Sequence, residues 1–304
     1  MYDVIIIGAG PAGLTASVYL RRADKSVLIL ERETFGGQIT HSPKVENYPG
    51  FVTMTGSELG DRLVEQAMAQ GAEFELDKAV AIEGVPGEYT VKGERGDYKA
   101  KAVIIAVGSE HRRLGLPKED RFTGEGISYC AVCDGAFYAG KEVAVIGGGN
   151  SALQEAVMLS KLCTKVTVVQ NLAFVTGEPK LKEELDKKDN VSFIYSTVVK
   201  EIKGEDTFEG IVITNTETGE ESVLTCDAVF VAIGQKPMNE PFKDNVSLNE
   251  YGYINADESC LPENTQSGIF VAGDCRSKRI RQVATAVADG AVAALAAVSF
   301  TDSI

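Results

Sequence analysis

Two cysteines spaced three residues apart, Cys130 and Cys133, are the side chains of this sequence best suited to chemistry. A Cys-x-x-Cys pair is either a redox dithiol or one half of a metal site. Zinc would need a second cysteine pair or nearby histidines, and the only histidines are His41 and His111. We therefore predict a redox dithiol and no metal. The remaining cysteines are scattered and are predicted to be small buried thiols: Cys163, Cys226, Cys260 and Cys275.

The composition limits the classes of partner. The 304 residues are 44% hydrophobic and 24% charged, which is typical of a globular chain, and the net charge is −14. So acidic a chain is not expected to bind nucleic acid or an anionic membrane surface. The longest apolar run, near the C-terminus, is about 10 residues, short of the roughly 18 that a membrane span needs. The N-terminus reads as a buried strand and not as a secretion signal, so we expect a cytoplasmic protein.

The dithiol lies just before the second copy of an internal repeat. At a constant offset of 139, residues 3–13 align with 142–152, and residues 25–31 align with 164–170. Each copy reads as an apolar strand, a Gly-rich turn, an Ala-rich helix and a second apolar strand. This is the βαβ unit of dinucleotide-binding domains, and two copies in register are much stronger evidence than a single G-x-G-x-x-G motif.

A further match shows how the two copies are connected. At an offset of 126, residues 102–108 pair with 228–234, so each copy closes with the same type of strand ending in glycine. We predict an α/β protein of two Rossmann-like dinucleotide-binding domains, the second inserted into the first. The predicted discontinuous domain comprises residues 1–113 and 241–304, and the inserted domain comprises residues 114–240.

The two copies differ where a nucleotide would be recognised. In the first copy, Gly8, Gly10 and Gly13 suit a tight turn, close approach to a pyrophosphate, and helix–strand packing, and Glu31 can bind both ribose hydroxyls. The equivalent of Glu31 in the second copy is Gln170. At this position NAD-binding proteins favour an acidic residue, and NADP-binding proteins favour a basic residue for the 2′-phosphate. We predict that the second copy has lost pyridine-nucleotide recognition. The alternative is that NADH binds through the backbone and Gln170.

Several motifs, together with Glu31, resemble the low-molecular-weight thioredoxin reductases, in order and over essentially the whole chain. They are Phe35-Gly-Gly-Gln38, Val45-Glu-Asn-Tyr-Pro-Gly50, Cys130-Ala-Val-Cys-Asp134 and Gly273-Asp-Cys with Arg281-Gln282. In that family the discontinuous domain binds FAD, the inserted domain binds NADPH and carries the cysteine pair, and the protein is a homodimer. The family's His-Arg-Arg-x-x-x-Arg stretch corresponds to Gln170–Thr176, which has none of those four basic residues. The chain therefore looks most like the branch that takes electrons from ferredoxin, and we expect no NADPH binding.

The resemblance implies an FAD site built from both segments of the discontinuous domain. Pyrophosphate would lie on the Gly-rich turn, ribose at Glu31, adenine at Val80, and the flavin and ribityl chain against the later residues. The expected set is Gly8, Gly10, Pro11, Ala12, Gly13, Glu31, Gly37, Gln38, Asn47, Val80, Ala106, Gly108, Asp274, Arg281 and Gln282. Independently of the family, Asp274 follows an apolar strand, where a carboxylate could bind a polyol hydroxyl or simply cap a turn.

The resemblance also implies roles for the dithiol segment. Cys133 would accept electrons from the flavin, Cys130 would attack the disulfide of thioredoxin, and Asp134 would act as the acid that protonates the departing thiolate. The alternative for Asp134 is a helix or turn cap. Ferredoxin, or a flavodoxin, would need a basic surface on this acidic chain. Lys278, Arg279 and Arg281 are the best candidate patch, and Arg21-Arg22 and Arg112-Arg113 are further possibilities.

Two other functions stay open. One is an NAD(P)H-dependent thioredoxin reductase with an altered nucleotide site. The other is a flavoprotein that carries or senses electrons without reducing thioredoxin, against which the intact dithiol argues. A ferredoxin–NADP reductase on the same scaffold is disfavoured by the dithiol and by the missing basic residues.

Overall fold

The chain forms two units, and a computed structural model describes residues 1–42, 45–263 and 267–304. The first unit is Met1–Glu110 with Lys236–Ile304, and the second is His111–Gln235. The boundaries expected from the sequence, after residues 113 and 240, lie a few residues beyond the observed ones at 110 and 235.

The elements are numbered in chain order. The strands of residues 1–111 are β1 (Tyr2–Ile7), β2 (Val27–Glu31), β3 (Glu73–Leu76), β4 (Ala79–Val85), β5 (Glu88–Gly93), β6 (Asp97–Ile105) and β7 (Ser109–His111), and the helices are α1 (Pro11–Arg22) and α2 (Gly56–Ala69). The next segment has the helices α3 (Glu119–Phe122), α4 (Ala131–Asp134), α5 (Asn150–Leu159) and α6 (Pro179–Asp186). Its strands are β8 (Ile127–Ser128), β9 (Glu142–Ile146), β10 (Lys165–Val169), β11 (Val191–Ile194), β12 (Thr197–Lys203), β13 (Gly210–Asn215), β14 (Glu221–Leu224) and β15 (Ala228–Val231). The last segment adds β16 (Gln235–Pro237), β17 (Ile269–Val271) and α7 (Val283–Asp302).

The first unit is organised by a sheet in the order β3-β2-β1-β6-β5-β4, with β17 also paired to β6. The strands β3, β2, β1, β6 and β17 are parallel, whereas β5 and β4 join as an antiparallel extension. Residues 4–7 of β1 are buried, as expected for a central strand covered on both faces. Because the carboxyl ends of parallel strands share one edge, the turns after β1 and β17 belong to the same side of the sheet.

The second unit repeats this plan. Its parallel sheet has the order β11-β10-β9-β15-β8, and β12, β13 and β14 form a separate antiparallel sheet. Strands β9 and β10 correspond to β1 and β2, and β15 corresponds to β6. The predicted fold of two Rossmann-like domains, the second inserted into the first, is confirmed.

Helix α7 departs from the sequence-based expectation about apolar segments. It is 20 residues long with a mean hydropathy of 1.8, so by length and composition alone it could cross a membrane. The sequence does not show this helix as an uninterrupted apolar run, because Asp289 and several hydroxyl residues lie within it. In the fold, Asp289 pairs with Arg276 at 2.9 Å, and a Cβ on Gly290 would lie 2.2 Å from the carbonyl oxygen of Ala12. The helix therefore packs tightly against α1, and it is weak evidence for a membrane span.

Candidate functional site

The dithiol segment lies between β8 and the start of α5. Cys130 and Cys133 form a disulfide with their Cα atoms 5.3 Å apart, and Cys130 is the residue that precedes α4. The backbone N–H of Cys133 donates to the Sγ of Cys130 at 3.2 Å. Such a donor favours the thiolate form of Cys130 after reduction. Val132, between the two cysteines, is 53% exposed, so this segment is open to a partner protein.

Asp134 follows the dithiol directly. Its Oδ2 accepts a hydrogen bond from the hydroxyl of Ser128 at 2.6 Å, while its Oδ1 is buried and has no partner in the described chain. Burial raises the pKa of Asp134, against the opposite effect of the Ser128 hydrogen bond. The side chain makes no capping bond to the turn that follows. A carboxyl beside the dithiol whose pKa is raised is suited to general acid chemistry.

The other cysteines are buried, as predicted. Burial raises the pKa of all four thiols, to about 12 for Cys226 and Cys275, so they are poor nucleophiles. Within residues 1–42, 45–263 and 267–304, no group of three His, Cys, Asp or Glu residues could hold a metal ion.

The Gly-rich turn of the first unit contains two glycines at which the fold leaves no room for a side chain and one at which it does. A Cβ on Gly8, where φ is +109°, would lie 2.3 Å from the carbonyl oxygen of Ala106, and a Cβ on Gly13 would lie 2.0 Å from that of Gly8. Around Gly10 no described atom lies within 4 Å of a Cβ position. Gly10 precedes α1 and Pro11 begins it, so helix N–H groups point to this open space. The turn thus leaves room for a phosphate where the sequence predicts one.

Glu31, at the end of β2, is bound to the same turn. Its Oε2 accepts the backbone N–H of Ala9 at 2.8 Å, and its Oε1 accepts that of Glu33 at 2.9 Å. Each carboxylate oxygen can accept a further hydrogen bond, as a ribose ligand requires. Of the other expected residues, a Cβ on Gly37 would lie 2.7 Å from the Cα of Gly10, whereas Val80 is an exposed residue of β4.

The residues after β17 bring further predicted groups together. Asn47 donates to the Oε1 of Gln282 at 3.2 Å, and the guanidinium of Arg281 lies 4.2 Å from the ring centre of Tyr253. In the described chain, the Oδ1 of Asp274 and the Nε of Arg281 are buried without a hydrogen-bond partner. Burial raises the pKa of Asp274. Since native proteins rarely leave buried polar atoms unpaired, these two atoms are suited to a polar ligand. Gln38 lies in the short 3-10 helix Gly37–His41 and is exposed, and Gly108 lies in the connection between β6 and β7.

The predicted basic patch is wrong for Lys278. Its side chain is only 10% exposed and its Nζ lies 2.8 Å from Asp289 and 3.9 Å from Asp274. Two partly buried carboxylates thus bind the lysine, which the run of basic residues in the sequence could not reveal. Arg281 packs on Tyr253, so Arg279 is the exposed cation of this group.

The Gly-rich turn of the second unit faces a different side chain. The carboxamide of Gln170 lies against the turn, with its Cδ 2.5 Å from the Cβ position of Gly148. Its Nε2 donates to the carbonyl of Phe174 at 3.1 Å, and its Oε1 accepts the N–H of Asn171 at 3.1 Å. Unlike Glu31, Gln170 therefore directs both polar ends to its own loop.

The comparisons with known proteins agree with this architecture. Residues 2–290 match the family described as pyridine nucleotide-disulphide oxidoreductase. The thioredoxin reductase of Bacillus subtilis is 45% identical over 297 residues, 97% of this chain and 93% of that protein. A Clostridium pasteurianum protein described as a 34.2 kDa protein in the rubredoxin operon is 44% identical over 298 residues, 97% of this chain and 96% of that protein. The crystal structure of thioredoxin reductase from Streptococcus pyogenes superposes with a TM-score of 0.94 at 38% identity, covering 100% of this chain and 99% of that chain.

The chain belongs to the low-molecular-weight thioredoxin reductase family. Membership in this family implies FAD, and the first unit fits it, through the open space at Gly10 and through the buried atoms of Asp274 and Arg281 that lack a hydrogen-bond partner in the described chain. The names of these relatives specify no electron donor, whereas the name of the family refers to pyridine nucleotides. The comparisons therefore do not support the ferredoxin-dependent branch over the rest of the thioredoxin reductase family.

Sequence reasoning missed one residue of the dithiol site. Ser128 is 2% exposed, and its hydroxyl donates to Asp134 and accepts the backbone N–H of Cys130 at 3.1 Å. It links the proposed acid to the first cysteine of a thioredoxin reductase dithiol. A buried serine at the end of a two-residue strand gives no pattern of its own, although its position two residues before Cys130 could have marked it.

Proposed function

We propose that this thioredoxin reductase passes electrons from a one-electron carrier protein, ferredoxin or a flavodoxin, through FAD and the Cys130–Cys133 pair to the disulfide of thioredoxin. The observation that carries the donor proposal is the loop after β10. Residues 170–177 contain no cation, and the next residue, Glu178, is acidic. A 2′-phosphate, or the ribose of NADH, would find neither a basic side chain nor a carboxylate at the position of Gln170.

The local contacts support the same conclusion. The loop carries two exposed apolar side chains, Leu172 at 40% and Phe174 at 62% exposure. Asn150, at the start of α5, is held by Glu178, whose N–H donates to the Oδ1 of Asn150 at 2.6 Å. The surface beside the second Gly-rich turn is thus apolar and acidic, which is unfavourable for a nucleotide phosphate.

The proposed chemistry of the chain's own residues is thiol–disulfide exchange. The reduced Cys130 attacks one sulfur of the thioredoxin disulfide as a thiolate, and the other sulfur leaves and takes a proton from Asp134. Cys133 then attacks Cys130, which re-forms the Cys130–Cys133 disulfide and releases the second thioredoxin thiol. The N–H of Cys133 that donates to the Sγ of Cys130 supports this assignment of the attacking sulfur.

When bound, FAD would collect electrons one at a time and pass them on as a pair. Gly8, Gly10, Gly13 and Glu31 would hold its pyrophosphate and ribose, and Asp274 its polyol chain. A ferredoxin at roughly −400 mV and a thioredoxin at about −270 mV make the transfer favourable by about 6 kcal/mol for two electrons.

A second candidate is an NAD(P)H-dependent thioredoxin reductase. The family description, which names pyridine nucleotides, favours it, and so does the retained Gly-rich turn of the second unit. A flavoprotein that only carries or senses electrons would not need the dithiol. From the family resemblance we also propose a homodimer in the cytoplasm.

The thioredoxin activity is tested without any biological donor. Protein loaded with FAD and reduced anaerobically with dithionite is mixed with oxidised thioredoxin, and free thioredoxin thiols are counted. We expect two thiols per enzyme disulfide cycle, and a loss of roughly hundredfold in rate for Cys133→Ser. Cys163→Ser, a buried thiol of the same unit, should stay within about twofold. Equal rates for both variants would contradict the proposal.

A further inference from the structure

The apolar helix α7 contains one carboxylate in its interior, that of Asp289. The helix is otherwise rich in alanine and valine, and the side chain of Asp289 is only 14% exposed. A charge in such surroundings is unfavourable unless it is paired and hydrogen-bonded. No step of the exchange chemistry given above uses this carboxylate, so the groups that it binds indicate what it does.

Three donors from the segment after β17 bind Asp289. Its Oδ2 accepts hydrogen bonds from the backbone N–H of Gly273 at 3.1 Å and from the ammonium of Lys278 at 2.8 Å. Its Oδ1 accepts a hydrogen bond from Nη1 of Arg276 at 2.9 Å. Because Gly273 precedes Asp274 and the two cations follow it, Asp289 binds the turn that carries Asp274 on both sides of that residue.

Close packing at Ala12, in the first turn of α1, fixes the position of this carboxylate. A Cβ on Gly290, the residue after Asp289, would lie 2.2 Å from the carbonyl oxygen of Ala12. A Cβ on Gly273 would lie 2.9 Å from the Cβ of Ala12. Helix α7 and the turn after β17 therefore meet at the start of α1. Asp289 thus lies beside the junction of the turn expected to bind pyrophosphate and the turn expected to bind the polyol chain.

Lys278 lies between two carboxylates and is closer to Asp289. Its Nζ is 2.8 Å from the Oδ2 of Asp289 and 3.9 Å from the Oδ1 of Asp274. Within the described residues, the buried Oδ1 of Asp274 accepts no hydrogen bond. A hydrogen bond from an ammonium to a carboxylate is charge-assisted and stronger than one from a neutral hydroxyl. Lys278 would therefore compete with a polyol hydroxyl for Asp274 if Asp289 did not bind it.

We propose that Asp289 is a positioning residue for the FAD site: it binds Lys278 and the Gly273 N–H, and so keeps the Oδ1 of Asp274 available to a hydroxyl of the FAD polyol chain. The inference rests on the proposed function, in which Asp274 holds that chain. Asp289 acts through Lys278 and the turn, and it is not itself a ligand of FAD.

The test measures the FAD affinity of the full chain in Asp289→Asn. The asparagine keeps the shape of the side chain and an oxygen that can accept the Gly273 N–H, but it has no charge to bind Lys278. Arg276 keeps its hydrogen bond to the carbonyl of Asp257, at 2.7 Å. FAD-loaded protein is diluted, and the FAD that dissociates is measured by its fluorescence. We expect the dissociation constant to rise about tenfold, because a hydrogen bond to a charged group is lost to the ligand.

A second substitution separates competition from a loss of structure. Adding Lys278→Met to Asp289→Asn removes the competing ammonium, so the dissociation constant should return to within about threefold of the wild-type value. A purely structural role of Asp289 predicts the opposite, because the double variant loses one more polar contact. The inference is overturned if the double variant binds FAD as weakly as Asp289→Asn or more weakly, or if Asp289→Asn itself binds FAD with wild-type affinity.

Lys278→Arg tests the same competition with Asp289 intact, so it does not depend on whether Asp289→Asn folds. A guanidinium carries five N–H donors in a fixed fork and can bind both carboxylates at once. We expect FAD to bind about fivefold more weakly than in the wild type, although the positive charge is kept. Wild-type FAD affinity in Lys278→Arg would overturn the inference.

The control is Asp244→Asn, which removes an exposed carboxylate of the same unit and should leave the FAD affinity within about twofold of wild type. Asp274→Asn tests the premise, and we expect weaker FAD binding because a carboxamide oxygen is a weaker acceptor. If Asp274→Asn binds FAD as the wild type does, the placement of FAD in the proposed function has failed, and the inference falls with it. If Asp274→Asn weakens FAD binding and Asp289→Asn does not, the inference alone is wrong.

Discussion

The hydroxyl of Ser128 donates to the Oδ2 of Asp134 at 2.6 Å, and the Oγ of the same hydroxyl accepts a hydrogen bond from the backbone N–H of Cys130 at 3.1 Å. A buried serine thus holds the proposed acid in a fixed relation to the first cysteine of the dithiol. Since its hydrogen bond stabilises the ionised form of Asp134, it opposes the effect of burial on the pKa of that carboxyl.

Ser128→Ala should move the basic limb of thioredoxin reduction to higher pH, because the carboxylate loses a donor and its pKa rises further. The change also leaves the Cys130 N–H without its acceptor, at a stability cost of about 1–3 kcal/mol. The pH profile of the dithionite-driven reaction checks the first effect, and urea unfolding checks the second. A limb that moves to lower pH would show that the hydroxyl does not stabilise the carboxylate.

Glu155→Gln should make the stability of the protein less sensitive to pH. The pKa of Glu155 is about 7 in the fold, whereas its ordinary value is 4.5, so the native state binds this proton more tightly than the unfolded state does. The stabilisation is complete below pH 4.5 and is lost as the pH rises to 7. Relative to wild type, the free energy of unfolding of the variant should therefore increase by up to about 3 kcal/mol between pH 4.5 and pH 8. Urea unfolding at the two pH values measures this, and a constant difference would contradict it.

Gly8→Ala and Gly10→Ala should separate folding from FAD binding. The first puts a methyl group 2.3 Å from the Ala106 carbonyl at a positive φ, so we expect a loss of several kcal/mol in stability, roughly 1–3 kcal/mol of it from backbone strain. The second meets no described atom within 4 Å and should leave stability within about 0.5 kcal/mol. It should still weaken FAD binding about tenfold or more, because the backbone must approach the pyrophosphate there. Flavin fluorescence and urea unfolding distinguish the two, and wild-type FAD affinity in Gly10→Ala would contradict the placement of the phosphate.

Arg279→Glu and Lys278→Glu should have different consequences although the residues are adjacent. Reversing Lys278 leaves three carboxyls facing one another beside α7 and should cost about 3–5 kcal/mol in stability. Reversing the exposed Arg279 should leave stability within about 0.5 kcal/mol. If ferredoxin docks here, Arg279→Glu slows ferredoxin-driven flavin reduction several-fold at low salt and leaves the dithionite-driven rate unchanged. An unchanged rate of ferredoxin-driven flavin reduction in Arg279→Glu would show that ferredoxin does not dock at this surface.

The fold could be predicted from the sequence because the Gly-rich turn occurs twice. The offset of 139 that joins Gly8 to Gly147 marks two equivalent structural units, since only a strand–turn–helix with close backbone approaches requires glycine there. The Cys130–Cys133 pair was equally evident from its spacing. The spacing of residues in the sequence could not predict which groups each side chain contacts in the fold. Lys278 reads as part of a basic surface and is buried against Asp289, while Glu155 reads as an ordinary helix residue and carries a buried carboxyl oxygen.

The measurement that tests the central claim most directly is an anaerobic titration of the FAD-loaded protein. The flavin absorbance is followed while NADPH, NADH and reduced ferredoxin are added in separate experiments. The proposal predicts stoichiometric bleaching by reduced ferredoxin and none by either pyridine nucleotide on the timescale of thioredoxin turnover. Rapid bleaching by NADPH or NADH would contradict it, and would mean that the loop at Gln170 binds a pyridine nucleotide without a basic residue.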